Sequence, residues 1–392
     1  YFTTKRGKDV KKMRVGYNYL DKQFDLKSSL VNKILSDIKK LVGTGEFTLG
    51  PQVREFEEKF ASLCGTSYAI GVNSGTDALI LILKALGIGP GDEVITVPNS
   101  FIATANAILF VGAKPVFVDV DNEYLMDVNK VNEAITERTK AILPVHLTGN
   151  PVFMPASDGN FKFRKGGEWQ DIYIIEDAAQ AVDAEVNGKK VGSWGFAGEF
   201  SLHPLKNMNV WGDGGMVTTS DDELAEKIRL MRNHGLASRD VCEMAAGNCR
   251  LHTIQAVVGL RLMADVRKVS DKRIKNAVHY DYLLRDVASI TIPPRRPIKR
   301  QVYHTYVIQV DRREALIKFL AENGVETKVH YPVPIHLQKP YSELGYKRCD
   351  FPKCEAQAER ILSLPIHQYL TESQISYTAN LIRGFYGACP TD

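Results

Sequence analysis

Lys206 closes the run Ser201-Leu202-His203-Pro204-Leu205-Lys206, and Asn207 follows it. Pro204 and Asn207 read as a loop just past an apolar strand, so the amine is held there rather than free on a helix surface. A held amine with a lowered pKa forms a Schiff base with a carbonyl; a solvated lysine is the plain alternative. Glu176-Asp177-Ala178-Ala179-Gln180 follows another apolar strand. Ligands of open α/β sheets sit at that carboxyl edge, where an acid can keep a proton on a ring nitrogen. Helix capping or metal ligation could use the same aspartate, but no His pair or carboxylate cluster has ligand spacing, and no metal is expected. Asn73-Ser74-Gly75-Thr76-Asp77 joins a strand to a helix. Gly75 admits an anion to the backbone, and N–H groups at the helix start with a nearby hydroxyl suit a phosphate. Alone, the same residues read as an ordinary N-cap. No lysine follows the glycine as in a nucleotide P-loop, which disfavours an ATPase.

A phosphate nest, an acid for a pyridine nitrogen and an amine for an aldehyde together describe a pocket for pyridoxal 5′-phosphate. That cofactor is an electron sink that recurs with a lysine Schiff base and an acidic pyridine partner. The combination is far more specific than any part. The turn Trp211-Gly212-Asp213-Gly214-Gly215 would let backbone cross close to the lysine.

The elements that must carry these groups alternate. Residues 22–42 have Leu26, Leu30, Ile34, Ile38 and Leu41 at helical spacing. Pro51 opens a second helix, at a position that suits proline. Short apolar runs at 68–72, 93–97, 114–118, 140–145 and 172–176 are separated by helical patterns, with further strands expected at 198–202 and 215–219. Such runs indicate a mostly parallel sheet covered on both faces. Past residue 260 the texture changes. Helices are expected over 262–288, a proline-bearing link at 293–297, strands at 303–310 and 325–330, and helices at 313–323 and 373–386. The expected organisation is an extension at 1–12, a large α/β domain at 13–263 and a smaller α+β domain at 264–392. Residues 151–170 break the pattern: a crossover helix belongs there, and none is legible. An ordered insertion, a loop and a sequence anomaly remain open.

The chain has 392 residues and 44% hydrophobic side chains, enough for a large core without staples. Fifty Lys and Arg against 46 Asp and Glu leave +4, which gives little support for nucleic-acid binding. Cys64, Cys242, Cys249, Cys349, Cys354 and Cys389 form no metal or redox pair, so free thiols in a reducing, cytoplasmic setting are expected. No signal peptide or 18-residue apolar run is visible, and no membrane partner is expected.

The ordered motifs resemble the DegT/DnrJ/EryC1/StrS family of sugar aminotransferases, which are fold-type I pyridoxal-phosphate enzymes. The resemblance covers about 13–386. It rests on Phe47-Thr48-Leu49-Gly50-Pro51, Ser74-Gly75-Thr76-Asp77-Ala78-Leu79, Gly87-Ile88-Gly89-Pro90-Gly91-Asp92-Glu93-Val94, Pro144-Val145-His146-Leu147, the Asp177 and Lys206 runs, Arg232-Asn233-His234-Gly235, and His330-Tyr331-Pro332 with His336. It implies that Lys206 is the Schiff-base lysine and shuttling acid–base, that Asp177 pairs with the pyridine nitrogen, and that Gln180 approaches the ring's phenolic oxygen. Phe101 would stack on the ring, its alternative being a core Phe in an apolar helix. Gly75, Thr76 and Ser201 would hold the phosphate. Asn248 would reach the phosphate of the neighbouring subunit of a homodimer, or cap the helix that follows. His203, Tyr331 and His336 are candidates for the sugar side, with packing, turn or loop-orienting roles equally open.

The implied reaction is transamination of a keto sugar, nucleotide-diphosphate-linked, with L-glutamate as amino donor, giving an amino sugar and 2-oxoglutarate. Retention of Lys206 argues against the relatives that carry His there and dehydrate. A keto-cyclitol or sugar-phosphate aminotransferase, another reaction of the same cofactor, and a non-catalytic sensor-like dimer are the alternatives. Two departures stand out: residues 151–170, and Cys249 where the family commonly has Tyr.

Overall fold

The computed structural model describes residues 12–153, 160–165 and 168–387. Residues 1–11 of the expected extension, Cys389, and 154–159 and 166–167 of the irregular segment lie outside the described residues. Helix α1 (Ser29–Thr44) starts where the Ser28 side chain accepts from Val31 N at 3.2 Å, and it ends at Gly45 with φ 72°. The expected start at 22 is therefore corrected. Asp25 Oδ1 accepts from Lys27 N at 2.9 Å, a local turn that competes with helix, and Leu26 is 76% exposed. Helix α2 (Pro51–Cys64) has proline in its first turn and stops at Gly65.

The alternation then runs β1 (Tyr68–Val72), α3 (Gly75–Ala85), β2 (Glu93–Thr96), α4 (Ile102–Phe110), β3 (Lys114–Phe117) and β4 (Thr139–Ile142). After it come β5 (Asn160–Lys165), β6 (Glu168–Asp177), β7 (Ala197–Ser201), β8 (Gly215–Thr219), α5 (Asp222–Met231), α6 (Thr253–Met263) and α7 (Val266–Leu284). The main sheet has the order β1-β8-β7-β6-β4-β2-β3. Its pairs from β7 to β3 are parallel, and β8 runs antiparallel to both β7 and β1. This is the mostly parallel mixed sheet expected. Between β4 and β6 no α-helix occurs among the described residues, only a short 3-10 turn at Leu147–Gly149. Instead β5 folds back on β6 as an antiparallel hairpin, from Asn160 opposite Tyr173 to Lys165 opposite Glu168.

Apolar clusters pack the sheet. One gathers Leu79, Ile82, Val94, Ile95, Ile108 and Ile174; another gathers Phe56, Phe60, Phe200, Met216 and Val258. A second sheet joins β9 (Ile290–Thr291), β10 (Tyr306–Val310) and β11 (Ile361–Leu364), all antiparallel. Helices α8 (Arg313–Glu322), α9 (Pro352–Arg360) and α10 (Glu372–Phe385) accompany it. Tyr280, Leu316, Leu362 and Ile375 form its core, and Val15 from the start of the chain joins them. The strand expected at 325–330 is corrected. Val325 and Lys328 make only isolated bridges, to Val15 and Ser363, and the ladder beside β10 is made by β11. The strand expected from 303 begins at Tyr306, because Tyr303 has φ 48°, outside the extended region.

Candidate active site

Strand β6 delivers Asp177 to the carboxyl edge of the sheet, where it is 5% exposed. Thr104 Oγ1, one turn into α4, donates to Asp177 Oδ2 at 2.7 Å, and Ala179 N donates to Oδ1 at 3.2 Å. Thr104 Oγ1 also lies 2.7 Å from Ser100 Oγ, so Ser100 can donate to it in turn. These donors fix the orientation of the carboxyl group. Gln180 is anchored beside it: its Oε1 accepts from Thr148 N at 2.8 Å. Its amide nitrogen donates to Tyr331 Oη at 3.3 Å. Tyr331 in turn packs its ring 5.7 Å from that of Phe101. Phe101 is the N-cap residue of α4 and 52% exposed, so it is not the buried core residue that was its alternative reading.

The lysine loop is built as its residue types suggested. Lys206 N donates to His203 O at 2.9 Å, and Asn209 Nδ2 donates to Pro204 O at 2.8 Å and Lys206 O at 3.1 Å. Tyr19 Oη donates to Lys206 O at 3.2 Å, and Asn207 Nδ2 to Val302 O at 2.9 Å. Desolvation lowers the Lys206 pKa, opposed by the Glu199 and Asp177 carboxyls that face it. A lowered amine pKa is what a nucleophilic lysine needs. Lys206 and Asp177 therefore share one site.

Helix α3 starts beside them. Ser74 Oγ caps it by accepting from Asp77 N at 3.0 Å, while the first N–H groups of a helix have no partner within it. Gly75 is required there. A Cβ at that position would stand 2.1 Å from Glu199 Oε1 and 3.0 Å from Ser201 Cβ. Gly215 of β8 is equally constrained, since its Cβ would meet Ser74 O at 2.3 Å. These glycines bring Gly75, Thr76 and Ser201 together at a helix N-terminus, the place for a phosphate. The donor set thus fits pyridoxal phosphate: N–H groups for the phosphate, an oriented carboxylate for the ring nitrogen and a desolvated amine for the aldehyde.

The other candidates fall differently. His203 is exposed; its Nδ1 accepts from Leu205 N at 3.3 Å, which fits orientation of the lysine loop. His336 is 2% exposed, 3.1 Å from Glu355 Oε1 and against the Phe351 ring, within a packed cluster rather than among the groups around Lys206. Asn248 is exposed and accepts from Arg250 Nε at 2.8 Å. The neighbouring Cys249 O accepts from Asn73 N at 3.0 Å, so this segment borders the α3 loop. Helix α6 begins only at Thr253 with His252 in the cap position, so Asn248 does not cap it.

Three contributors were missed in the sequence. Thr104 was detectable as a hydroxyl in an otherwise apolar helix. Glu199 was detectable as an acid inside an apolar strand. His330, bonded through Nδ1 to Ser363 Oγ at 2.9 Å, is pushed down to about 4 by burial and by Lys206, and nothing in its spacing announced this.

The pattern of the DegT/DnrJ/EryC1/StrS aminotransferase family matches residues 28–383. The chain belongs to that family. A UDP-N-acetyl-3-dehydro-alpha-D-glucosamine 3-aminotransferase from Acidithiobacillus ferrooxidans is 41% identical over 355 residues, covering 90% of this chain and 94% of that protein. A pleiotropic regulatory protein from Geobacillus stearothermophilus is 39% identical over 370 residues, covering 94% and 97%. The crystal structure of S. venezuelae DesV in complex with a ketimine intermediate matches with a TM-score of 0.88 and 34% identity, covering 96% of this chain and 99% of that one. Bacillus subtilis NtdA, solved with bound cofactor PMP, matches with a TM-score of 0.80 and 29% identity, covering 93% and 85%. Among the described residues no cluster of His, Cys, Asp or Glu could hold a metal ion, and no helix is long and apolar enough to cross a membrane.

Proposed function

We propose that this aminotransferase uses pyridoxal 5′-phosphate to transfer an amino group from L-glutamate to a nucleotide-diphosphate-linked keto sugar. The observation that carries this reading is the convergence of the desolvated Lys206 amine and the Asp177 carboxylate next to the Gly75 helix start. The sugar aminotransferases among its relatives supply the substrate class. Bound there, the cofactor offers an aldehyde to Lys206 and a ring that accepts the electrons released when the donor's Cα–H bond breaks. Gly75, Thr76 and Ser201 would hold the phosphate. Asp177, fixed by Thr104 and Ala179, would keep the ring nitrogen protonated. Gln180, anchored by Thr148 and Tyr331, would stand near the phenolic oxygen, and Phe101 would cover a ring face. Lys206 would hold the cofactor's aldehyde and, once its amine is free, would be the group placed to move the amino donor's Cα proton, and to do so in the opposite sense with the keto sugar.

Asn248 completes the phosphate site of a neighbouring subunit in a homodimer, and Tyr331 and His203 border the sugar side; His336 supports that wall from within its packed cluster. The division near residue 264 separates the cofactor-binding part from the smaller part, and the protein works in the cytoplasm. The test is turnover: a panel of nucleotide-linked keto sugars with L-glutamate, read by 2-oxoglutarate release. Reaction with at least one of them supports the reading. Reaction only with a keto-cyclitol or an unlinked sugar phosphate contradicts the substrate class.

A further inference from the structure

Glu199 lies at the centre of the site, facing Lys206 and Asp177. It is 1% exposed on β7, in register with Asp177 of β6. Parallel partners in register present their side chains to the same face, and here Asp177 and Glu199 lie against each other. Among the described residues neither Glu199 oxygen has a hydrogen-bond donor, in contrast to the two that Asp177 has. Its Oε1 points at Gly75, the first residue of the phosphate-binding helix. Two facing carboxylates with a phosphate beside them cannot all carry charge in a buried site. Two acceptors can bond only with a proton between them, and Asp177 is the one whose charge is already stabilised by donors.

We propose that in the loaded site Glu199 is a neutral acid that donates its proton to the Asp177 carboxylate, keeping a second negative charge away from the phosphate cradle. This rests on the pyridoxal phosphate reading. The groups facing Glu199 agree with it. Lys206 is the cation that faces it, and Lys206 is the residue the cofactor engages. On β8 the register partner of Glu199 is the apolar Val217. On α3, Asp77 is turned back to Ser74 Oγ at 3.2 Å. Burial and the Asp177 charge both raise the Glu199 pKa, in the same direction. Glu199 is thus a positioning residue: its proton fixes Asp177 and tempers the basicity that Asp177 shows the ring nitrogen.

The test is difference infrared spectroscopy of the protein loaded with pyridoxal 5′-phosphate near neutral pH, wild type minus E199Q. The expected result is a protonated-carboxyl carbonyl stretch that shifts in heavy water and is missing from E199Q; E199A gives the same subtraction should E199Q not fold. Dissociation constants for the cofactor, measured by equilibrium dialysis at rising pH, supply the second readout. As Glu199 ionises, the wild type weakens relative to E199Q by up to about tenfold per pH unit, a dependence that a purely structural residue does not show. A loaded protein without the band and with a flat ratio overturns this inference and leaves the aminotransferase reading intact. A protein that takes up no pyridoxal phosphate at any pH overturns both.

Discussion

Glu176 and Glu199 sit on adjacent central strands, and each is 1% exposed. Their surroundings are opposite. Glu176 Oε1 accepts from Trp194 N and Gly195 N, both at 2.7 Å, and Oε2 accepts from Gly192 N at 2.8 Å. His146 completes the set. Its Nδ1 accepts from Val152 N at 2.9 Å, so Nε2 carries the hydrogen that it donates to Glu176 at 2.9 Å. Glu199 has no donor among the described residues. The cause is the pleat: Glu176 precedes Asp177 on β6 and points to the other face, whereas Glu199 shares the face of Asp177. One glutamate ties loops to the sheet. The other has no donor because it faces the site, where its neighbour is the Asp177 carboxyl. Burial by itself therefore says nothing about whether a carboxyl is structural or functional; the donors around it decide.

Breaking the satisfied side should have the largest effect on stability. E176A leaves three backbone N–H groups and His146 without their acceptor, and a loss of about 3–5 kcal/mol is expected for breaking such a buried charged cluster, read by denaturant unfolding. A loss under about 1 kcal/mol would show that the bonds to Glu176 are not a structural tie. On the site's side, T104V removes the hydroxyl that donates to Asp177 at 2.7 Å. The bond to a charged group is worth about 1.5–3 kcal/mol, so turnover or cofactor affinity should fall by about ten- to a hundredfold with stability nearly kept. The smallest effect sharpens the contrast. The Glu199 pKa is raised in the folded protein. Its stabilising contribution is therefore fully present below the ordinary glutamate value of about 4.3 and is lost as pH rises toward the folded value. Unloaded E199Q should match wild type near pH 4 and exceed it by about 1–3 kcal/mol at neutral pH, read as a pH-dependent gap in melting temperature. A gap of the same size at every pH would contradict the sign.

Much of this site was legible because its residues punctuate the chain. Gly75, Pro204 and Asn207 break periodic patterns, and Lys206 and Asp177 stand just past apolar runs, so chemistry and element ends coincide. The alternation of short apolar runs and helices gave the wound sheet for the same reason. What stayed hidden depends on register and on distant partners. Glu199 looks like any acid until β7 is aligned with β6. Ser28 rather than residue 22 starts α1 because a turn at Asp25 outcompetes the helical pattern of Leu26. The segment at 325–330 alternates as a strand would, but β11, which follows a helix with few apolar residues, takes the place beside β10. His336, for which packing and substrate contact read equally well in the sequence, is buried against Phe351 and bonded to Glu355.

The proposed chemistry turns on one amine, that of Lys206, which would engage the cofactor opposite Asp177. Borohydride reduction of the protein loaded with pyridoxal 5′-phosphate, followed by peptide mapping, tests it most directly. The expected result is one pyridoxyl label, on the peptide containing Lys206, abolished in K206A. A label on any other lysine, or a wild-type protein that carries none, would contradict it.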